Sequence, residues 1–273
     1  MRTWLITGAS KGLGAALSRT VLEQGERVAL CARDISVAAQ MIEQFPDTAL
    51  GVPLDLTESA SIQAAVKMVN DWAGSIDVLI NNAGQGIHGA IEETSDDNWR
   101  SLFDVNFFGV AAIIRQVLPQ MRQRRSGLII NVGSVAGFVA NPGTGAYCAT
   151  KFALEGLTEA LAKEVAPLGI KVSMVAPGGM RTGFNNASIW IADQVIDSYR
   201  SGPGVRTDEL RKNAGRTGSD VVSAAAAIWQ LANENDPPPH LILGADAIER
   251  IGQKLDLLHA ALRNANPLAP GAG

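Results

Sequence analysis

Short runs of apolar residues alternate along this chain with longer segments rich in helix-forming residues. The runs predict seven strands, at Trp4–Thr7, Arg27–Ala32, Ala49–Leu54, Val78–Asn81, Leu128–Val132, Lys171–Val175 and Leu241–Leu243. The intervening segments predict helices over Ala15–Gln24, Ser59–Trp72, Asp97–Arg122, Gly145–Ala166 and Ser219–Asn233. Because strands joined by helices pair in parallel, and right-handed crossovers coat both sheet faces, this alternation predicts an α/β, doubly wound three-layer sandwich with a seven-stranded parallel sheet.

A single domain is expected over residues 1–263. Hydrophobic residues make up 47% of the 273, which suffices for one large core, and no compositional break divides the chain. Residues 178–216 interrupt the alternation and contain no sheet-like run, so we expect a mobile substrate lid there. The tail 264–273 is rich in Pro, Gly and Ala and is expected to be disordered.

Charge and composition exclude several classes of partner. The formal net charge of −4 gives no attraction toward phosphate backbones or anionic lipid, so neither a nucleic acid nor a membrane is expected as a partner. Two cysteines without a preceding secretion signal indicate a reduced, cytoplasmic protein. The three histidines are scattered and the cysteines lack metal-ligand spacing, so no metal site is expected.

A glycine-rich turn follows the first predicted strand directly and precedes a helix. Its residues are Thr7-Gly8-Ala9-Ser10-Lys11-Gly12-Leu13-Gly14. Glycines allow a tight turn and the close approach of a pyrophosphate, while a helix N-terminus supplies free N–H groups. The spacing Gly-x3-Gly-x-Gly differs from the commoner Gly-x-Gly-x2-Gly, so a merely structural turn is the alternative.

The end of the second strand bears on the choice of cofactor. An NAD-binding fold usually places an acidic residue there for the ribose 2′-hydroxyl, whereas this chain has Ala32 and Arg33. A guanidinium matches a 2′-phosphate, and Lys11 adds a second cation, so NADP(H) is favoured over NAD(H). The alternatives are that both cations are simply solvated, and the adjacent Asp34 weakens the argument.

A phenol and an amine four residues apart, Tyr147 and Lys151, begin a predicted helix and share one face of it. A nearby ammonium favours the phenolate, so Lys151 is expected to lower the tyrosine pKa and fit it for acid/base work. Ser134 follows the predicted strand Leu128–Val132 and would face the same crevice as the glycine turn. Each residue also has an ordinary interpretation: a half-buried aromatic, a solvated lysine and a serine that caps a turn.

Taken together, several motifs over residues 1–182 resemble the short-chain dehydrogenase/reductase family. They are Thr7-Gly8-x3-Gly12-x-Gly14, Asp55, Asn81-Asn82-Ala83-Gly84, Asn106, Ser134, Tyr147-x3-Lys151 and Pro177-Gly178. The segments Asn98–Phe108 and Gly145–Gly169, with Pro237-Pro238-Pro239-His240-Leu241, are similar to the subgroup that resembles 17β-hydroxysteroid dehydrogenases. The resemblance implies a Rossmann-like fold and hydride transfer to or from a nicotinamide cofactor.

The resemblance also implies roles for individual residues. Ser134 would orient the substrate oxygen, Tyr147 would exchange its proton, Lys151 would bond the nicotinamide ribose, and Asn106 would hold a relay water. The expected cofactor contacts are Gly8, Ser10, Lys11, Gly12, Leu13, Gly14, Arg33, Asp55, Asn82, Ala83, Gly84, Tyr147, Lys151, Pro177, Gly178 and Thr182. Family members usually form homodimers or homotetramers, so one of these assemblies is expected.

The sequence thus favours an NADP-dependent oxidoreductase that interconverts a small carbonyl compound and a secondary alcohol. Two alternatives are an NAD-linked alcohol dehydrogenase and a cofactor-sensing protein that binds without turnover. The sequence does not identify the substrate.

Overall fold

The computed structural model describes residues 1–181, 189–192, 194–205, 208–209 and 218–263. Its strands are β1 (Thr3–Thr7), β2 (Arg27–Ala32), β3 (Ala49–Pro53), β4 (Val78–Asn81), β5 (Gly86–His88), β6 (Gly127–Val132), β7 (Ile170–Pro177), β8 (Ile189–Ile191) and β9 (His240–Leu243). Seven of them form one parallel sheet in the order β3-β2-β1-β4-β6-β7-β9. The predicted seven-stranded α/β sandwich is confirmed.

Helices cover both faces of this sheet. The α-helices discussed here are α1 (Gly12–Glu23), α2 (Ala39–Gln44), α3 (Ser59–Ala73), α4 (Asp96–Phe103), α5 (Gly109–Arg124), α6 (Gly145–Val165), α7 (Val221–Leu231) and α8 (Ala245–Arg263). Helices α4 and α5 are joined by a π-helical turn, Asp104–Phe108, so the predicted helix Asp97–Arg122 is one helical run with a bulge. The sequence analysis assigned neither α2 nor α8.

The alternation of side chains along the strands explains why both faces are covered. In β1, Leu5 packs into the core beneath α3, α5 and α6, whereas Trp4 and Ile6 pack into the core beneath α1 and α7. All three side chains are fully buried. Because successive residues of a strand point to opposite faces, a strand that is apolar at every position must be covered on both sides.

Strand order reverses between β1 and β4, since β2 and β3 lie on one side of this pair and the remaining strands lie on the other. Ligands of open parallel sheets bind outside the carboxyl ends of the strands at such a point. Thr7 ends β1 and Asn81 ends β4 there. The topology therefore predicts a ligand-binding site at the loops that follow these two residues.

The expectation that residues 178–216 contain no sheet-like run is wrong. Ile189–Ile191 forms β8, which pairs in parallel with β5 as a small second sheet. Two β-branched residues flank Trp190 in this strand, but three residues are too few for an alternating pattern to stand out in the sequence. The tail 264–273 lies outside the described residues.

By length and composition alone, the helical run Asp96–Arg124 could cross a membrane. Buried core helices pass the same test, and this run packs against α3 and contributes Val110, Ile113 and Val117 to the core. Its apolar character is thus accounted for by burial within the fold.

Candidate active site

The glycine turn between β1 and α1 is held in shape by polar groups from the end of β4. The Thr7 hydroxyl accepts hydrogen bonds from the backbone N–H groups of Asn82 and Ala83, both at 3.0 Å. The Asn82 amide donates to the carbonyl oxygens of Thr7 and Gly8 at 2.9 and 3.2 Å. A Cβ on Gly14 would lie 2.3 Å from the Gly8 carbonyl oxygen, so this position requires glycine.

The first turn of α1 is open toward a ligand. Lys11 is the residue before the helix, and its side chain does not cap the free N–H groups of the first turn. Gly8 and Gly12 have φ values of +67° and +57°, which keeps the turn tight and free of side chains on this side. Free N–H groups at a helix N-terminus bind anions such as a pyrophosphate.

This turn opens into a cavity of about 1150 Å³ at the carboxyl ends of the strands. Of the residues proposed from the sequence, the following line it: Gly8, Ser10, Lys11, Gly12, Leu13, Arg33, Asp55, Asn82, Ala83, Gly84, Ser134, Tyr147, Lys151, Pro177 and Gly178. Gly14 and Asn106 are not part of its lining. Thr182 lies outside the described residues. The cavity has room for a dinucleotide together with a small substrate.

Three polar side chains converge in this cavity beside the end of β6. The hydroxyl of Ser134 lies near enough to the Tyr147 phenol to lower its pKa. Lys151, one helical turn beyond Tyr147 on α6, donates from Nζ to the Val132 carbonyl oxygen at 2.9 Å, and its Nζ lies 5.8 Å from the centre of the tyrosine ring. Ser134 also caps the turn that follows it by accepting from the Ala136 N–H at 3.1 Å. Ser134 therefore both caps this turn and lines the cavity.

Burial shifts the protonation equilibria of both residues of the pair. It raises the pKa of Tyr147 to about 12, against a lowering effect of the Ser134 hydroxyl. It also lowers the pKa of Lys151 to about 8, because an ammonium loses hydration there. The sequence analysis expected Lys151 to lower the tyrosine pKa, and the structure differs. Desolvation by burial has the largest effect on the tyrosine pKa, and the ammonium donates to the Val132 carbonyl.

We expect the Lys151→Met variant to be more stable than the parent at pH 7. Because burial lowers the pKa of Lys151 from 10.5 to about 8, the charged lysine costs the folded parent about 3 kcal/mol of stability. The variant avoids this cost but loses the hydrogen bond to the Val132 carbonyl, which takes back about 1–2 kcal/mol of the gain. Because the folded-state pKa lies below the unfolded value, the parent gains stability as pH rises from about 8 to 10.5, and the advantage of the variant shrinks.

Urea unfolding without added cofactor, at neutral and at alkaline pH, measures this difference. Lys67→Met is the matched control, since the Lys67 side chain is 75% exposed and its removal should change stability by less than about 0.5 kcal/mol. A Lys151→Met variant that is less stable than the parent at pH 7 would contradict the expectation.

Asn106 stands behind the cavity wall, in the π-helical turn. Its Oδ1 accepts from the Gln85 N–H at 2.8 Å, and its Nδ2 donates to the Gln85 carbonyl at 2.8 Å and to the Thr150 hydroxyl at 3.1 Å. The bulge thus lets the side-chain amide of Asn106 form hydrogen bonds both to the loop after β4 and to α6. A Cβ on Gly84 would lie 3.4 Å from the Asn106 Oδ1 and 3.7 Å from the Lys151 Nζ, so a side chain there would enter the site.

The opposite end of the cavity carries Arg33 and Asp55, just beyond β2 and β3. Among the described residues, no carboxylate lies within ion-pair distance of Arg33. The neighbouring Asp34 is bonded to the Ser36 N–H and hydroxyl at 2.9 and 2.6 Å and is not part of the cavity lining. Asp55 accepts from the Thr57 N–H and hydroxyl, which lowers the pKa of its carboxyl group.

Three residues that shape the site were not among the site residues predicted from the sequence. The hydroxyls of Thr7 and Thr150 were not proposed, and neither was Arg250, which lines the cavity from α8. Thr7 could have been suspected, because it is a polar residue at the buried end of an apolar strand. No local pattern marks the other two, since their partners are distant in sequence.

Residues 2–189 match the family model described as short chain dehydrogenase. Oxidoreductase BOA17 of Botryotinia fuckeliana is 34% identical over 261 residues, which cover 95% of each chain. The crystal structure of a short-chain dehydrogenase from Streptomyces avermitilis is 37% identical, with a TM-score of 0.91 and 97% of each chain covered. The similarity to the 17β-hydroxysteroid dehydrogenase subgroup stays a prediction.

Solved structures that share this fold include complexes with NAD, NADP+ and NADH. One is the 3-ketoacyl-(acyl-carrier-protein) reductase of Brucella melitensis with NADH, which is 25% identical, has a TM-score of 0.76 and aligns over 89% of this chain and 96% of its own. The open helix N-terminus and the glycine turn of the present chain fit the pyrophosphate of such a nicotinamide cofactor.

Proposed function

This chain belongs to the short-chain dehydrogenase family and is an NAD(P)-dependent oxidoreductase of carbonyl and alcohol groups, and within that class we propose that it reduces a small carbonyl compound with NADPH, using Tyr147 as the acid. The observation that carries the proposal is that Ser134 and Tyr147 lie together in the same cavity as the glycine turn. Lys151 lies in that cavity as well.

The bound cofactor would supply a hydride to the carbonyl carbon of the substrate. Tyr147 would donate its hydroxyl proton to the carbonyl oxygen as negative charge develops there, and Ser134 would hold that oxygen by a hydrogen bond. Lys151 would stabilise the charge left on the phenol oxygen. Asn106 would position the loop after β4 and α6 relative to each other through its bonds to Gln85 and Thr150.

The direction of reduction is supported by the raised tyrosine pKa. With a pKa of about 12, the Tyr147 phenol remains protonated throughout the neutral range, which is the form that a carbonyl reduction needs. Oxidation of an alcohol needs the phenolate and should therefore become faster as the pH rises. The same site would catalyse both directions, with reduction favoured at neutral pH.

We expect kcat/KM for carbonyl reduction to be level near pH 7 and to fall above about pH 8. The pKa of Lys151 is lowered to about 8, so its ammonium is present below that pH and is lost above it, whereas Tyr147 keeps its proton. If only the ammonium form is active, the decline approaches about tenfold per pH unit. Initial rates of NADPH oxidation between pH 6 and 10 measure it.

The matched control for this profile is Lys151→Arg. A guanidinium keeps its charge over the whole range, so whatever activity this variant retains should show no decline near pH 8. A parental profile that stays flat up to pH 10 would disprove the assigned role of Lys151.

The preference for NADPH is supported by the charges beyond β2. Arg33 and Lys11 line the cavity, and the acidic neighbour Asp34 is bonded to Ser36 outside it. Among the described residues Arg33 forms no direct ion pair, although its charge contributes to the lowered pKa of the Asp55 carboxyl group, and such a guanidinium suits a 2′-phosphate. The remaining cofactor contacts proposed from the sequence, including Asp55 and Thr182, are retained in this proposal.

The overall proposal is tested by following nicotinamide absorbance with a panel of ketones, aldehydes and alcohols and with both cofactors. We expect turnover of carbonyl compounds with NADPH. Turnover limited to alcohols with NAD+ would favour an NAD-linked alcohol dehydrogenase. Tight cofactor binding without any turnover would favour a cofactor-sensing protein.

Self-association is also proposed, through the exposed faces of α5 and α6. Phe108, in the π-helical turn directly before α5, and Phe152 on α6 are 56% and 44% exposed, whereas Leu154 is buried in the core. Two large exposed apolar side chains on the same side of a domain are typical of an interface. Sedimentation of the parent and of a Phe108→Lys/Phe152→Lys variant tests it, since only the parent should form a homodimer or homotetramer.

A further inference from the structure

The helix α8 adds a charged residue to the cavity from outside the part of the chain that matches the family model. That match covers residues 2–189, and α8 follows the last strand of the sheet. The helix packs against the turn Val135–Gly137, directly after Ser134. Arg250, on the side of α8 that faces this turn, lines the same cavity as Ser134 and Tyr147.

The guanidinium of Arg250 is half-buried and has few partners. Its hydrogen bond is a single long one, from Nη2 to the Val139 carbonyl oxygen at 3.4 Å. Within the described parts of the chain, no carboxylate lies within 4.0 Å of it. Asp246, one turn earlier on α8, also lines the cavity, and its carboxylate accepts from the Gly179 N–H at 2.9 Å. Since a guanidinium has five N–H donors, this bond leaves most of them unused among the described residues.

A second donor stands on the same wall. Asn141 lies two residues after Val139 and lines the cavity, and its backbone carbonyl is bonded to Thr144. Over the described residues, its side-chain amide makes no hydrogen bond. A guanidinium and an amide on one stretch of wall form a site that would bind an anionic oxygen group.

The cofactor does not account for this site. Its pyrophosphate is matched by the open N-terminus of α1, and a 2′-phosphate is matched by Arg33 and Lys11 beyond β2. Arg250 instead bonds Val139, in the loop that begins with Ser134. In the proposed function Ser134 holds the substrate oxygen. A cation that contacts this loop is therefore placed to bind a negatively charged group of the substrate.

We propose that Arg250, assisted by Asn141, binds a carboxylate on the substrate, so that the compound reduced is an oxo acid. A carboxylate is favoured over a phosphate because one guanidinium balances one negative charge. The inference rests on the proposed function. The carbonyl carbon of the oxo acid accepts the hydride with its electron pair, the carbonyl oxygen accepts the proton of Tyr147, and the carboxylate is unchanged. The product is a hydroxy acid.

The test compares oxo acids with their methyl esters, over increasing separations of ketone and carboxylate, with NADPH and the whole chain. Each pair differs in charge while the ketone is kept. We expect the parent to prefer the best acid over its ester by about 10- to 100-fold in kcat/KM, the range of one charge-assisted hydrogen bond. Arg250→Met should abolish this preference by lowering kcat/KM for the acid only, and Arg250→Lys should retain part of it.

Lys254→Met is the matched control, because Lys254 lies one turn further along α8, is exposed and is not part of the cavity lining. It removes the same charge and should leave the preference for the acid intact. A second readout is inhibition by a saturated carboxylic acid that competes with the substrate, whose inhibition constant should rise in Arg250→Met while the dissociation constant of NADPH stays unchanged.

The outcomes separate the two proposals. If the parent reduces esters as well as acids, or if Arg250→Met lowers both equally, the carboxylate site is disproved and carbonyl reduction stands. If the parent reduces neither acids nor esters nor any other carbonyl compound with NADPH, the proposed function fails, and the oxo-acid inference fails with it.

Discussion

Replacing Tyr147 by phenylalanine is expected to lower kcat for carbonyl reduction by about 10²- to 10⁴-fold, the range that a positioned general acid contributes. The substitution removes one oxygen atom and keeps the ring, which is partly buried beside Lys151. Without the hydroxyl, the oxygen of the substrate must take its proton from water. Because the transition state loses this donor and the bound ground state keeps most of its contacts, kcat should fall far more than KM changes.

The measurement is NADPH oxidation under saturating substrate, together with the dissociation constant of NADPH, which should change by less than about threefold because the glycine turn is untouched. The other tyrosine of the chain provides the control. The Tyr199 hydroxyl is bonded to Glu92 and is not part of the cavity lining, so Tyr199→Phe should keep the parental rate. An active Tyr147→Phe enzyme would mean that another group delivers the proton.

Reversing the charge of Arg33 should exchange the cofactor preference. A charge-assisted hydrogen bond contributes about 1.5–3 kcal/mol, so loss of the guanidinium alone lowers kcat/KM with NADPH by about 10- to 150-fold. In Arg33→Asp, repulsion of the 2′-phosphate adds to this loss, whereas an aspartate at the end of β2 can accept from the ribose 2′-hydroxyl of NADH. We therefore expect the ratio of NADPH to NADH turnover to fall by at least about 10²-fold.

Arg19→Asp is the matched control for the change in overall charge. Arg19 lies on α1, bonds Gln44 and Glu23 at the surface, and is not part of the cavity lining. Its reversal should leave the cofactor ratio within about twofold, because exposed charges at this distance are screened. If Arg33→Asp keeps the parental ratio, the proposed NADP preference is wrong, although the reaction class is unaffected.

The main sheet and the glycine turn could be predicted from the sequence because their signals are local. Each main strand is a short apolar run, and the turn joins a strand to a helix through glycines at fixed spacing. The strands β5 and β8 have three residues each, too few for a periodic pattern, and their pairing joins parts of the chain about a hundred residues apart. That pairing could be recognised only in the folded molecule.

The catalytic residues of the proposed site could be predicted from the sequence, but their hydrogen-bond partners and their burial could not. The spacing of Tyr147 and Lys151 on a helix places both side chains on one face, as the sequence analysis stated. It does not reveal that Lys151 donates to the Val132 carbonyl, or that burial raises the tyrosine pKa. Likewise, Asp34 seemed to oppose NADP binding until its bonds to Ser36 were located. Such facts depend on contacts and solvation that a linear pattern does not encode.

The pairing of β5 with β8 consists of main-chain hydrogen bonds, so the attachment of this wall of the cavity is independent of the side chains that it bears. Ile189 and Trp190 of β8 both line the cavity. Natural variation or laboratory evolution can therefore exchange these two residues and reshape the chamber without detaching its wall. A scaffold of this kind can acquire new substrates while the proton-transfer apparatus on α6 remains as it is.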